Sequence, residues 1–172
     1  MRQAEILGLR WQDLDLDAGT LWVRQTLQRI GGQTITKGPK TARSRRTLAL
    51  SASLVAALVA HKDRQEFERK RAGNLWQESG LVFTSALGTP LIARNLIRDF
   101  KRHLHAAGLP QETRFYDSRH AAASLLIADG LPITAVSAML GHALTSTTLN
   151  NYAHVLPGAD RLTAEVMERL LG

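Results

Sequence analysis

The chain has 172 residues, 44% of them hydrophobic, enough for one globular domain with a real core and too apolar for a disordered tail. Lys and Arg number 22 against 15 Asp and Glu, and the net charge of +7 favours a polyanionic partner, most simply nucleic acid. Cysteine is absent, which excludes disulfides and thiolate metal sites and fits an intracellular protein; no apolar run is long enough to cross a bilayer, and no hydrophobic block follows Met1 and Arg2.

Residues 2–10 set Ile6, Leu7 and Leu9 behind Arg2 and Glu5, a short helical pattern. It starts at once, without a cap, as expected of a segment whose N-terminal part is missing. Asp13, Asp15, Asp17 and Gly19 predict a turn. Residues 20–27 alternate with β-branched and aromatic side chains and read as a strand; Gly31-Gly32 is a turn. Strands at 33–36 and 46–50 complete a small three-stranded antiparallel sheet, with a basic loop at 37–45 before the last strand. Residues 37–46 hold Lys37, Lys40, Arg43, Arg45 and Arg46 and no acid, so they are candidate phosphate contacts. Residues 61–71 alternate in sign and read as a solvated helix face.

Ser51 or Ser53 caps a helix over about 53–71, with Leu54, Val55, Leu58 and Val59 on its buried side. Residues 73–84 are irregular, with a short extended piece at 81–83. Residues 93–107 form a helix with Leu96, Ile97, Phe100 and Leu104 inward and Arg94, Arg98, Lys101 and Arg102 outward, facing either DNA phosphates or solvent. Helices follow at 117–129, closed by Gly130, at 132–140, closed by Gly141, and at about 146–153. Asp160 caps a last helix, where Leu162, Val166, Leu170 and Leu171 make an apolar stripe. The fold class is therefore mainly α with one small antiparallel sheet.

Chemistry concentrates near the C-terminus, in Phe115-Tyr116-Asp117-Ser118-Arg119-His120, then Leu140-Gly141-His142, then Tyr152. Arginine matches two phosphate oxygens with its fork, histidine can manage a proton, and a tyrosine can attack phosphorus. The phenolate is also a fair leaving group, so such a step is reversible. His103, His105 and His142 lack any recognisable ligand spacing, so neither a metal site nor a cofactor is expected.

The order of these residues resembles the tyrosine recombinase (phage integrase) family, in its catalytic domain and over nearly the whole chain. Arg2-Gln3-Ala4-Glu5-Ile6-Leu7-Gly8-Leu9 is similar to the family's Arg-x-x-Glu segment. Pro39-Lys40-Thr41 ahead of Arg45-Arg46-Thr47-Leu48 resembles its lysine hairpin. Tyr116-Asp117-Ser118-Arg119-His120 resembles His-x-x-Arg-His, and Leu140-Gly141-His142 resembles the Leu-Gly-His box, with Tyr152 ten residues on.

The resemblance implies a tyrosine recombinase catalytic-domain fold, without the core-binding and arm-binding domains. It implies that Tyr152 attacks the scissile phosphate to form a 3′-phosphotyrosyl link. Arg2 and Arg119 hold the non-bridging oxygens, Lys40 protonates the departing 5′ oxygen, and His142 bonds the phosphate or assists proton transfer. Lys37 competes with Lys40 for that role. Glu5 and His120 are supporting residues, His120 packing beside Arg119. Tyr116 stands where the family usually has histidine, and a phenol is a weaker base near neutral pH than an imidazole. The implied partner is double-stranded DNA, contacted through Lys37, Arg43, Arg45, Arg46, Arg94 and Arg98. A tetramer on DNA assembled through the C-terminal helix, and action in a bacterial cytoplasm from a bacterial or phage gene, are also implied. A type IB topoisomerase-like enzyme and a DNA-binding fragment without catalysis stay open beside the recombinase.

Overall fold

The computed structural model describes residues 1–38, 45–152 and 167–169. The predicted loop residues Lys40 and Arg43 and the stripe of Leu162, Val166, Leu170 and Leu171 lie outside the described residues.

The chain opens with a short helix, α1 (Gln3–Leu7), whose first turn is closed by the Glu5 carboxylate accepting from the Arg2 backbone N–H at 2.7 Å. The aspartates after it do more than turn. Leu14–Asp15 forms a two-residue strand, β1, antiparallel to β2 (Thr20–Val23), and Asp15 Oδ1 accepts from the Ala18 N–H inside the turn.

The predicted strand over 20–27 is two strands, β2 and then β3 (Thr26–Ile30). The break falls at Arg24 and Gln25, where the Gln25 amide donates to the Gly8 carbonyl at 2.8 Å. β3 then leaves the sheet to pair with β4 (Gln33–Lys37), the turn carried by Gly31 and Gly32, both at positive φ. The three-stranded sheet is thus β1-β2-β5, with β5 (Arg46–Ala49) antiparallel to β2, and β3–β4 is a separate hairpin. Alternation along β2 buries Leu21 and Val23.

Ser51 caps α2 (Ala52–Ala72), its hydroxyl accepting from the Leu54 N–H. Leu58 and Gln65, two turns apart, are its buried residues. Trp11 donates to Gln65 Oε1 at 2.6 Å, and Gln65 Nε2 donates to the Leu81 and Val82 carbonyls. Leu54 and Val59, expected inside, are 47% and 44% exposed. The docked face runs through Leu58, His61 and Gln65, with His61 Nε2 2.7 Å from the Val82 carbonyl, and Val59 lies about 100° round the helix from Leu58.

Next comes α3 (Ala93–Ala106), with Leu104 buried. Lys101, expected outward, folds back to donate to the carbonyls of Gln111 and Thr113, which ties the following loop to this helix. Three short helices follow: α4 (Asp117–Ala128), α5 (Ile133–Leu140) and α6 (Thr145–Tyr152). They share a core of Ala123, Ile127, Val136, Leu140 and Tyr152, distinct from the core of Leu9, Leu21, Val23, Leu58 and Val82 between sheet and α2. A smaller cluster of Leu7, Leu27 and Leu81 seats α1 on the hairpin.

Candidate active site

The site is built around the C-terminal end of α5. A helix leaves its last carbonyls without partners, and they form the negative end of its dipole. Here Gly141 takes a left-handed conformation, φ 67°, and the helix closes with the Gly141 N–H on the Ala138 carbonyl and the His142 N–H on the Ser137 carbonyl. The next three carbonyls each accept from a different arginine. Arg46 Nε donates to Met139 O at 2.7 Å, Arg119 Nη2 to Leu140 O, and Arg2 Nη2 to Gly141 O at 3.3 Å. Three guanidinium groups, from the residue that precedes α1, from β5 and from α4, are thereby gathered at one point.

Glu5 holds two of them. Arg46 lies against both carboxylate oxygens, at 3.1 and 2.8 Å, and Arg2 Nη1 donates to Oε1 at 2.9 Å. Burial alone would push this carboxyl up; the hydrogen bonds from Arg46 and from the Arg2 backbone, with the Arg46 charge, hold it down at about 2. Arg46 was expected to contact DNA, yet its side chain is 6% exposed and engaged with Glu5. Strand alternation explains this: in β5, Arg46 and Leu48 point inward while Thr47 and Ala49 are exposed.

Arg119 is arranged differently. Its side chain is buried, and its Nη1 has no hydrogen-bond partner among the described residues. Burial first, then the charge of Arg2, lowers the guanidinium pKa from its ordinary value, but it stays charged at neutral pH. A buried donor left unpaired is costly in the free protein and suits an anion.

His142 follows the turn directly, and its Nδ1 lies 2.8 Å from the hydroxyl of Thr148, a fully buried residue of α6. Burial, then the charges of Arg119 and Arg2, lower its pKa, so the ring is neutral at pH 7. Tyr152 sits one helical turn beyond Thr148, 3% exposed, with its hydroxyl 2.7 Å from His120 Nδ1. Burial raises the phenol pKa, the Arg119 charge pulls it back, and Tyr116 adds to the rise. Tyr116 is 44% exposed, its ring edge-on to His120 at 4.9 Å between centroids.

A cleft of about 410 Å³ opens beside these groups, lined by Arg45, Arg46, Ser137, Ala138 and His142 among others. Lys37, Arg45, Arg94 and Arg98 are exposed. Thr148 was not anticipated from sequence, although its place four residues before Tyr152 puts both on one face of α6.

The sequence model of the Phage integrase family matches residues 1–158. The chain belongs to this family. A relative from Caldanaerobacter subterraneus, "Tyrosine recombinase XerC-like", is 36% identical over 99% of this chain and 46% of its own length. An integrase from Streptomyces ambofaciens is 40% identical over 81% of this chain and 35% of its own. The chain thus spans about half, or less, of the length of the curated relatives it matches. Among solved structures, the Tn1549 transposon integrase in complex with a circular-intermediate DNA superposes at a TM-score of 0.77, with 24% identity, over 99% of this chain and 54% of that one. XerA recombinase gives 0.66 at 20% identity, over 99% of this chain and 53% of its own. The fold is that of tyrosine recombinase catalytic domains, mainly helical with a small antiparallel sheet.

Proposed function

We propose that this chain is the catalytic domain of a site-specific DNA recombinase that cuts and rejoins DNA through a 3′-phosphotyrosyl intermediate. The observation that carries the reading is the unpaired, buried Arg119 Nη1 at a point shared with Arg2 and flanked by His142 and Tyr152. A scissile phosphate seated there receives Arg119 and Arg2 on its non-bridging oxygens and a hydrogen bond from His142. The Tyr152 oxygen attacks phosphorus, the bond to the 5′ oxygen breaks, and Lys40 supplies its proton. The two arginines supply the charge that a metal would otherwise provide. The reverse attack by a 5′ hydroxyl reseals the strand.

The net charge of +7 and exposed Lys37, Arg45, Arg94 and Arg98, joined by Lys40 and Arg43, support duplex DNA as the partner. Tetramer assembly through the C-terminal helix belongs to the same proposal. So does a setting in the bacterial cytoplasm, supported by the bacterial sources of the relatives.

The test is a pool of nicked duplexes with randomised sequence, incubated with this chain and with an N-terminally extended form. Covalent protein–DNA adducts that vanish in Tyr152→Phe, while DNA binding persists, are expected. Adducts in Tyr152→Phe would sink the nucleophile assignment. DNA binding with no adduct from either protein would favour a non-catalytic binding fragment.

A further inference from the structure

In the structure the nucleophile's hydroxyl bonds a histidine four residues past the position where the family usually carries one. We propose that His120 is the base that takes the proton from Tyr152, an inference that rests on the recombinase reading above. Tyr152 Oη lies 2.7 Å from His120 Nδ1, within the range for direct proton transfer. His120 follows Arg119 on α4, so one helix turn delivers a guanidinium to the phosphate position and an imidazole to the nucleophile.

Two phenols frame the imidazole. Tyr116, one turn earlier, meets it edge-on at 4.9 Å and 72°, and Tyr152 is tilted at 5.8 Å. Residue 116 thus supports the ring that does the work, and a phenol there is compatible with catalysis. His142 is engaged elsewhere, its Nδ1 held by Thr148.

The step balances as follows. His120 carries its proton on Nε2 and offers the Nδ1 lone pair to the Tyr152 hydroxyl. As the bond from Oη to phosphorus forms and the bond from phosphorus to the 5′ oxygen breaks, the phenol proton passes to Nδ1 and leaves an imidazolium. Lys40 donates a proton to the departing 5′ oxygen. On resealing, the imidazolium returns its proton to Oη.

The experiment compares His120→Asn with the unchanged chain on the randomised nicked-duplex pool, reading the rate of covalent adduct formation. Asparagine keeps an acceptor close to the Nδ1 position but cannot hold a proton. The expected rate loss is about 100-fold or more. A fluorinated tyrosine at position 152, whose phenol ionises at lower pH, should restore most of it. A structural role for His120 would not respond to fluorination. His120→Gln gives the same reading if the asparagine variant does not fold. Adduct formation within about threefold of the unchanged chain, or a loss that fluorotyrosine does not repair, overturns the inference while the recombinase reading stands. No adduct from either the unchanged chain or its N-terminally extended form overturns that reading and this inference together.

Discussion

Arg46 and Glu5, 41 positions apart, form a two-bond ion pair, with Nη1 at 3.1 Å from Oε1 and Nη2 at 2.8 Å from Oε2. The pair joins β5 to α1, and the remaining Arg46 nitrogen reaches the end of α5. Both side chains are almost fully buried, 6% and 3% exposed. Breaking a buried pair by removing one partner leaves a charge without compensation, which is destabilising by about 3 kcal/mol or more.

Glu5→Gln should therefore lower the unfolding free energy by about 3 kcal/mol. It should also change the pH dependence. Glu5 titrates at about 2 in the folded chain against an ordinary 4.5, so its folded pKa is depressed. Its contribution is complete above about pH 4.5 and is lost as pH falls toward 2. The part that titrates is on the order of 2 kcal/mol once solvent screening is allowed for. Urea unfolding across that window should show the decline in the unchanged chain and a weaker one in the variant. Parallel curves would contradict the assignment.

Arg119→Met tests the opposite situation, a buried charge that the proposed function assigns to the phosphate. Methionine fills much of the same volume without repelling Arg2 and Arg46. Thermal stability should hold or rise by up to about 1 kcal/mol, while adduct formation falls by a factor equivalent to about 3 kcal/mol or more. Sulfate should raise the melting temperature of the unchanged chain more than that of the variant. Strong destabilisation by methionine would mean that Arg119 is chiefly a structural residue.

Tyr116 separates two roles for a phenol. Tyr116→Phe keeps the ring against His120, and its adduct rate should stay within about threefold of the unchanged chain. Tyr116→Ala removes an edge contact worth about 1 kcal/mol, and the rate should fall about fivefold to tenfold. A large loss in Tyr116→Phe alone would assign the chemistry to its hydroxyl.

His142 should titrate below 6.5 in a nuclear magnetic resonance pH series, because burial and then Arg119 oppose its protonation. Linkage gives the sign. With a depressed folded pKa, its contribution to stability is full above 6.5 and declines as pH falls through that value toward the folded pKa. Phosphate added to the chain should move the midpoint upward, since an anion beside Arg119 offsets its charge. A midpoint at or above 6.5 without phosphate would contradict this reading.

Much of the fold was legible because local chemistry marks its elements. Gly130 and Gly141 bound α4 and α5, Ser51 opens α2, and Gly31-Gly32 turns a hairpin. The Leu140-Gly141-His142 box has a physical reading: glycine permits the left-handed close that presents three carbonyls and then aims His142. What stayed hidden depends on contacts between distant segments. Arg46 looked like one more member of a basic run, and only its pairing with Glu5 makes it internal. The break at Arg24 and Gln25 reflects Gln25 reaching the Gly8 carbonyl, a contact 17 positions back. His120 looked like packing because Tyr152 is 32 positions away in sequence. Leu54 and Val59 fit an amphipathic pattern, yet the face that docks is the one carrying Leu58, His61 and Gln65, whose partners Trp11, Val82 and Phe83 are distant in sequence.

Gly141 carries a constraint on how such chains can diverge. A Cβ at that position would sit 2.9 Å from Arg46 Nη1 and 3.1 Å from its Cδ, on a backbone already at φ 67°. Any side chain there therefore pushes on Arg46, whose guanidinium is what pairs with the Glu5 carboxylate. Positions 5, 46 and 141 are thus coupled through one guanidinium, so a change at any of them disturbs the packing of the other two.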